Sequence, residues 1–243
     1  MRGLLAAFRF LTRIPLPGPA TEVADLAPAV AWFPLVGAVV GFATAAIFVG
    51  AEALWPAPVG ATLAVGCGLL LTGGFHEDGF TDAVDGLGGG WTKARVLEIM
   101  KDSRIGAYGA MGLWVLLMLR WSALMALDHR ALLILPLAMV WGRWSIALLL
   151  KLLPPVAEGL AKEVHRHGGW GPLLGSSALL LIAQCIAWHF HFPRLLPAAG
   201  VAVGMTLLWA LYLRHRLGGQ SGDVLGAGAM LAEAATLLVW IAR

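Results

Sequence analysis

The sequence predicts an all-α fold, a polytopic membrane helix bundle of about seven transmembrane helices with a cytoplasmic loop-helix that carries a cluster of acids. Three observations lead there. Of the 243 residues, 59% are hydrophobic and 13% charged, with a mean hydropathy of +0.80, whereas an ordinary soluble domain is roughly half apolar and a quarter charged. The apolar residues gather in runs near the length of about 20 residues that crosses roughly 30 Å of hydrocarbon. Lysine and arginine fall mainly in alternate segments between those runs, as membrane orientation requires.

Taken in order, residues 1–13 are interrupted by Arg9. They therefore lack the unbroken apolar region of a cleavable signal and read as an amphipathic segment on the cytoplasmic face. Candidate spans follow at 28–54 and 58–75, the second being the shortest in its run of apolar residues, and then comes the polar stretch 76–106. Further spans are predicted at 107–127, 131–153, 172–192, 195–213 and 224–242. The short links Trp55-Pro56-Ala57 and Asp128-His129-Arg130 are of the kind that joins antiparallel neighbouring helices. No stretch has the composition of a soluble domain, so residues 1–243 read as one integral-membrane domain. Cys67 and Cys185 lie within apolar runs, where thiols behave as small buried hydrophobes and imply no disulfide framework.

The basic residues orient the bundle. Twelve (Arg2, Arg9, Arg13, Lys93, Arg95, Lys101, Arg104, Lys151, Lys162, Arg166, Arg214 and Arg216) fall on one side and three (Arg130, Arg194 and Arg243) on the other. The excess places the N-terminus and the 76–106 loop in the cytoplasm. It also accounts for the net charge of +3 and pI near 9.2, so the basicity does not point to a nucleic-acid partner. Arg120 and Arg143 lie inside predicted spans, where a charge costs about 2.5–3.5 kcal/mol unless it meets a partner or water. Glu233 lies at a depth similar to that of Arg143, so the two are placed to pair, and a structural ion pair or snorkelling side chains stand level with a substrate-facing role.

The chemistry is expected in His76-Glu77-Asp78-Gly79-Phe80-Thr81-Asp82-Ala83-Val84-Asp85, which holds four of the chain's fourteen acidic residues. On a helix, Asp78, Asp82 and Asp85 fall within roughly 60° of one another. Like charges so placed repel, and a bound hard cation such as Mg²⁺, Mn²⁺ or Ca²⁺ would relieve them. A solvated acidic helix start accounts for Asp78 but not for the acids further along. His76 reads as a general base, a proton shuttle or a phosphate donor, or equally as an interfacial residue at a helix end. The run Gly86-Leu87-Gly88-Gly89-Gly90 lacks the Gly-Lys-Ser/Thr of a P-loop. Lys101 and Arg104 are expected to clamp a diphosphate, with Asp102 as a further metal ligand or an orienter of one cation. Gly218-Gly219-Gln220-Ser221-Gly222-Asp223 brings one more carboxylate to the same side.

Read together, these motifs resemble the cobalamin synthase family, the adenosylcobinamide-GDP ribazoletransferases. The resemblance rests on Arg9-Phe10-Leu11-Thr12-Arg13-Ile14-Pro15, on Gly73 through Gly86 with its acids, on Met100-Lys101-Asp102-Ser103-Arg104-Ile105-Gly106-Ala107-Tyr108-Gly109, and on Gly218 through Ala227. Ser221 stands where the family usually has Thr, and the family varies at Glu77. The resemblance implies a bacterial inner-membrane enzyme with its site in the cytoplasm. There α-ribazole or its 5′-phosphate attacks the corrinoid-side phosphorus of adenosylcobinamide-GDP and GMP leaves. It further implies Mg²⁺ at Asp78, Asp82, Asp85 and Asp102, catalytic roles for Asp82, Asp85 and His76, with Asp85 or His76 accepting the proton of the attacking hydroxyl, and diphosphate contacts from Lys101, Ser103, Arg104 and Asp223.

Two other readings stand beside it. A CDP-alcohol phosphatidyltransferase would show Asp-Gly-x-x-Ala-Arg with a later acidic pair, whereas Asp78-Gly79-Phe80-Thr81 runs into Asp82-Ala83. A small cation-coupled transporter would place its charges near the membrane midplane, as Arg120, Arg143 and Glu233 do.

Overall fold

A computed structural model describes residues 1–190 and 194–242. Arg243, counted above on the weakly basic side, and the last two residues of the predicted 172–192 span lie outside the described residues. The order is α1 (Arg2–Leu11), α2 (Val23–Ala29), α3 (Phe33–Glu52), α4 (Ala57–Thr72), α5 (Phe75–Gly89), α6 (Lys93–Met100) and α7 (Ala107–Leu127). It continues with α8 (Ala131–Leu152), α9 (Leu160–Gly168), α10 (Gly171–His189), α11 (Leu195–Arg216) and α12 (Gly222–Ile241). Among the described residues there is no strand beyond an isolated bridge between Pro155 and Gln220. The amphipathic N-terminal segment is a helix, and each predicted span coincides with one. Pro34, Pro58 and Pro172 stand in the first turns of their helices, where the missing N–H has no intrahelical partner to lose.

Among the described residues five segments are long and apolar enough to cross a membrane: Val23–Glu52, Ala107–Leu152, Gly171–His189, Leu195–Arg216 and Gly222–Ile241. A sixth arises if α4 and α5 form one broken span. The predicted count of about seven divides differently here for two reasons. Helix α4, at 16 residues, is short for a crossing on its own. The 46-residue segment Ala107–Leu152 contains two predicted spans and is long enough for two crossings. It breaks at Asp128, whose φ of 54° leaves the helical region.

Helices α3, α8 and α12 form the centre, with α8 packed on both others and α12 also against α5, α7 and α11. Small residues allow this. A Cβ on Gly142 would lie 2.8 Å from the Ala229 carbonyl, so α8 and α12 approach as closely as backbones can. The same packing corrects one expectation. Helices α7 and α8 are joined by a short link yet barely touch, because α8 turns away to pack on α3 and α12. By contrast α3 and α4, across Trp55-Pro56-Ala57, pack as expected.

Between α4 and α5, Gly73 and Gly74 both adopt left-handed conformations, with φ of 68° and 67°. Glycine alone takes this geometry without a Cβ penalty. The pair turns the chain by 91°, so the acidic helix α5 leaves the line of the apolar α4. The short helices α2, α6 and α9 were not predicted; they are too brief to register as long apolar runs. Helix α9 docks onto the end of α8, where His165 Nδ1 lies 2.7 Å from the Leu150 carbonyl.

Candidate active site

Four segments predicted to share the basic side meet at one end of the bundle. Phe10 and Leu11 of α1, Phe75, His76, Asp78 and Gly79 of α5, Met100 and Lys101, and parts of 157–164 and of 221–226 all contribute to a cavity of ≈410 Å³. Its walls are mainly apolar, and Asp78, Asp223, Lys101 and Glu158 stand among them. The strand-like contact between 154–156 and 219–220 ties two of those segments together. Gln220 N–H donates to the Pro154 carbonyl at 2.8 Å and Val156 N–H to the Gln220 carbonyl at 2.9 Å. The Arg9 guanidinium donates to the carbonyls of Leu16 and Gly18, at 2.8 and 3.0 Å, and to that of Pro19, closing the loop after α1. Arg13 lies over Gly73.

Helix α5 distributes its polar residues among three neighbours. Asp78 is exposed and Asp82 half-buried. No hydrogen-bond donor or cation pairs with either carboxylate among the described residues. Opposite them, a Cβ on Gly79 would lie 3.1 Å from Asp223 Cα, so α5 and the start of α12 touch there. Asp82 accordingly lies in the field of Asp78 and Asp223 as well as Asp85. Ser221 Oγ is 3.4 Å from Asp223 Oδ2. Among the described residues no three His, Cys, Asp or Glu side chains gather closely enough to hold an ion by themselves.

Asp85, one turn on, is only 7% exposed. It accepts hydrogen bonds from the backbone N–H groups of Gly106 and Gly109, both at 2.7 Å. Both its oxygens are thus engaged at the start of α7, where N–H groups lack intrahelical acceptors. The helical spacing placed Asp78, Asp82 and Asp85 on one face, and the third of these is turned to a neighbouring helix. The glycine run 86–90 ends α5, with Met100 against Gly86 and the Tyr108 ring against Gly88.

In the loop before α7, Arg104 and Asp102 hold one another, with Nε and Nη2 donating to both carboxylate oxygens at 2.6 to 3.2 Å. These bonds hold the Asp102 carboxyl down at about 2. Ser103 is exposed beside them, and of this motif only Met100 and Lys101 reach the cavity wall.

The buried charges form a chain. Glu77 Oε1 lies 2.7 Å from Arg120 Nη1, Arg120 Nη2 2.8 Å from Glu233 Oε1, and Arg143 Nη1 2.6 Å from Glu233 Oε2. The expected pairing of Arg143 with Glu233 is present, and Glu77 with Arg120 extends it. Two acids and two arginines compensate one another, as intramembrane charges must. Sequence alone counted Glu77 with the acid cluster; at about 100° per residue it lies off the face shared by Asp78, Asp82 and Asp85, and its partner Arg120, 43 residues away, is not visible in the spacing.

His76 is 1% exposed and forms part of the cavity wall, and neither ring nitrogen has a hydrogen-bond partner among the described residues. Phe75 meets it edge-on at 5.4 Å, and Phe10 meets Phe75 at 5.1 Å. Phe33 stacks on Phe10 at 6.0 Å. These aromatics were not singled out as site residues. Phe10 and Phe75 do belong to the motifs quoted above, which is the signal that would have found them.

The chain was compared with known proteins. No solved structure matches it. It is 42% identical to the adenosylcobinamide-GDP ribazoletransferase of Azorhizobium caulinodans, over 96% of this chain and 92% of that protein. It is 36% identical to the enzyme of the same name from Thiobacillus denitrificans, over 98% and 94%, and 38% identical to that from Leptothrix cholodnii, over 97% and 93%. The family model described as cobalamin-5-phosphate synthase matches residues 3–241, so this membrane-helix chain belongs to the cobalamin-5-phosphate synthase family.

Proposed function

We propose that this chain transfers the adenosylcobinamide phosphate group from adenosylcobinamide-GDP to α-ribazole or its 5′-phosphate. The products are GMP and adenosylcobalamin or its 5′-phosphate, in the assembly of the nucleotide loop. The reading is supported by relatives of that name along nearly the whole chain. The single structural observation that carries it is that Asp78, Asp223 and Lys101 line one cavity, with Asp82 in the field of both acids from α5.

The donor set fits Mg²⁺. Asp78, Asp82 and Asp223 are hard oxygen donors, and no basic side chain pairs with them among the described residues. Too few of them gather to enclose an ion, which suits a metal that takes one or two carboxylates and completes its shell with water and substrate phosphates. When bound, Mg²⁺ would offset charge on the diphosphate and on the departing GMP. Lys101 adds a positive charge to the lining of the same cavity. In the transfer, the ribazole hydroxyl oxygen bonds to the corrinoid-side phosphorus, the bond from that phosphorus to the GMP oxygen breaks, and the hydroxyl proton goes to a carboxylate. Asp82, unpartnered and next to this centre, takes that proton in our reading. Asp85, with both oxygens held by α7, positions α5 against α7. His76 is buried with both ring nitrogens shielded, and does not take this role. Arg104 would exchange Asp102 for a phosphate group of the substrate.

We further propose that the cavity opens to the cytoplasm from the bacterial inner membrane. Twelve of the chain's lysines and arginines fall in the segments on that side. The test is GMP release from adenosylcobinamide-GDP and α-ribazole by membranes carrying the protein, with Mg²⁺ supplied or withdrawn. No release under any metal condition rejects the transfer.

A further inference from the structure

A second cavity, of ≈210 Å³, lies against the first, and the two share Val30, Leu150 and Val164 in their walls. To these the second adds Lys151 at the end of α8, His165 and Arg166 of α9, and Pro172 and Leu173 at the start of α10. Its volume is below the roughly 300 Å³ at which small-molecule pockets begin. It holds a single anionic group and its neighbouring atoms, not a nucleotide.

The lining carries charge of one sign. Lys151 and Arg166 belong to it and no aspartate or glutamate does. The acids nearest along the chain are engaged elsewhere: Glu158 lies 2.6 Å from Lys162, and Glu163 lies 3.9 Å from His167. Among the described residues neither Lys151 nor Arg166 has an ion pair. Lys151 lies over the Trp170 ring, 4.3 Å from its centre, a contact that holds the ammonium without cancelling its charge. His165 Nδ1 donates to the Leu150 carbonyl at 2.7 Å, which fixes that ring in the wall. The first N–H groups of α10, without intrahelical acceptors, add to the same sign. Unpaired cations around a concave surface favour an anion.

The place of the cavity selects the kind of anion. Ala107–Leu152 and Gly171–His189 are both long and apolar enough to cross a membrane, and the cavity sits where the first ends and the second begins. Lipid headgroups lie at the ends of spans. Leu152 and Trp170, next to lining residues in the chain, are exposed, as apolar and aromatic side chains at a membrane interface are. From there Leu174, Leu181, Ile182 and Trp188 form an exposed apolar stripe along one face of α10. A free phosphate would use the cations alone, whereas a phospholipid uses the cations and the stripe.

We propose that this second cavity binds the headgroup phosphate of an acidic phospholipid, with Lys151 and Arg166 holding the anion and the acyl chains lying along α10.

The experiment uses the purified full chain, delipidated in detergent and titrated with phosphatidylglycerol or phosphatidylcholine, with bound lipid read by native mass spectrometry. The wild-type chain is expected to bind phosphatidylglycerol roughly tenfold or more tightly than phosphatidylcholine. Lys151→Gln and Arg166→Gln should each weaken phosphatidylglycerol binding roughly fivefold, and the double variant should lose the preference. Lys151→Arg, which keeps the charge, should retain it. Lys162→Gln, on the same helix α9 but outside the cavity, should leave it unchanged. Both lining side chains are incompletely buried, so the variants should keep the wild-type Tm. Equal binding of the two lipids by the wild-type chain overturns the site, as does an undiminished preference in both single variants. A loss in Lys162→Gln as large as in Arg166→Gln overturns it too, since the charge would then act diffusely. Displacement of phosphatidylglycerol by millimolar inorganic phosphate overturns the lipid as occupant and assigns the cavity to a free phosphate. Lipid retention is read without turnover, so the result is independent of the proposed transfer.

Discussion

The carboxylate of Asp85 and the backbone N–H of Gly109 meet at 2.7 Å across two helices, and this contact sets how the acidic helix lies. A Cβ on Gly109 would stand 2.2 Å from Asp85 Oδ2 and one on Gly106 2.4 Å from Oδ1. Glycine at both positions is what lets the carboxylate enter the first turn of α7. Asp85 thereby fastens the C-terminal half of α5, while Asp78 lines the cavity and Asp82 lies in the field of Asp78 and Asp223.

Removing that fastening is expected to show as lost stability. Asp85→Ala leaves the Gly106 and Gly109 amides without their acceptor and should destabilise the protein by about 1–2 kcal/mol, read as a lowered Tm in detergent. Gly109→Ala should lower Tm as well, because its Cβ displaces the carboxylate. An Asp85→Ala protein with wild-type Tm would show that the contact does not hold α5.

The buried chain of charges makes a sharper prediction. Glu233 is shared by Arg120 and Arg143, so Glu233→Gln leaves two arginines facing one remaining acid. Breaking a buried pair from one side costs roughly 3–5 kcal/mol. Adding Arg143→Met restores neutrality, and the double variant should unfold at a higher temperature than Glu233→Gln alone. A double variant no more stable than the single one would mean that the charges act independently.

Asp82→Asn and Asp78→Asn keep side-chain size and remove negative charge from the proposed metal and proton site. Each is expected to lower GMP release by roughly two orders of magnitude or more with little change in Tm. Excess EDTA should abolish turnover and added Mg²⁺ restore it. Full turnover by Asp82→Asn or in EDTA would remove these acids from the mechanism.

The Asp102–Arg104 pair is exposed, and its removal should barely alter Tm. Arg104 holds the Asp102 carboxyl at about 2, below its ordinary 3.8. Any stabilisation from the pair is therefore complete above pH ~4 and lost as pH falls towards 2. Between pH 6 and 8 the pair is fully ionised. The rise in KM for adenosylcobinamide-GDP expected in Arg104→Ala should thus be flat across that range, as measured by initial rates at several pH values. A rise confined to one end of the range would assign the effect to another group.

Orientation can be read by labelling. In a chain with Cys67 and Cys185 replaced by alanine, Arg130→Cys should react with an impermeant maleimide in intact spheroplasts. Lys101→Cys should react only after permeabilisation. The reverse pattern would turn the cavity to the outside.

Much of this protein can be read along the chain. Hydropathy marked the long helices within a few residues, since a span of hydrocarbon demands a run of apolar side chains whatever surrounds it. The pairing of Arg143 with Glu233 was legible for a related reason, as two charges at one depth in an apolar medium seek each other. The motifs brought Asp78, Asp82, Lys101 and Asp223 into one expected site.

The assignment of neighbours was left to tertiary structure. Helical spacing gave Asp78, Asp82 and Asp85 a common face, but a face spans three carboxylates more easily than one surrounding does. Packing of α7 took Asp85, packing of α12 brought Asp223 beside Asp78 and Asp82, and Arg120 drew Glu77 inward. His76 likewise became a cavity wall only because α1, α9 and α12 close around it. Sequence by itself determined which residues are costly to leave in lipid and which helices must therefore form. Tertiary structure decided which partner each polar side chain meets, because a hydrogen bond or ion pair depends on distances of a few ångströms between elements far apart in the chain.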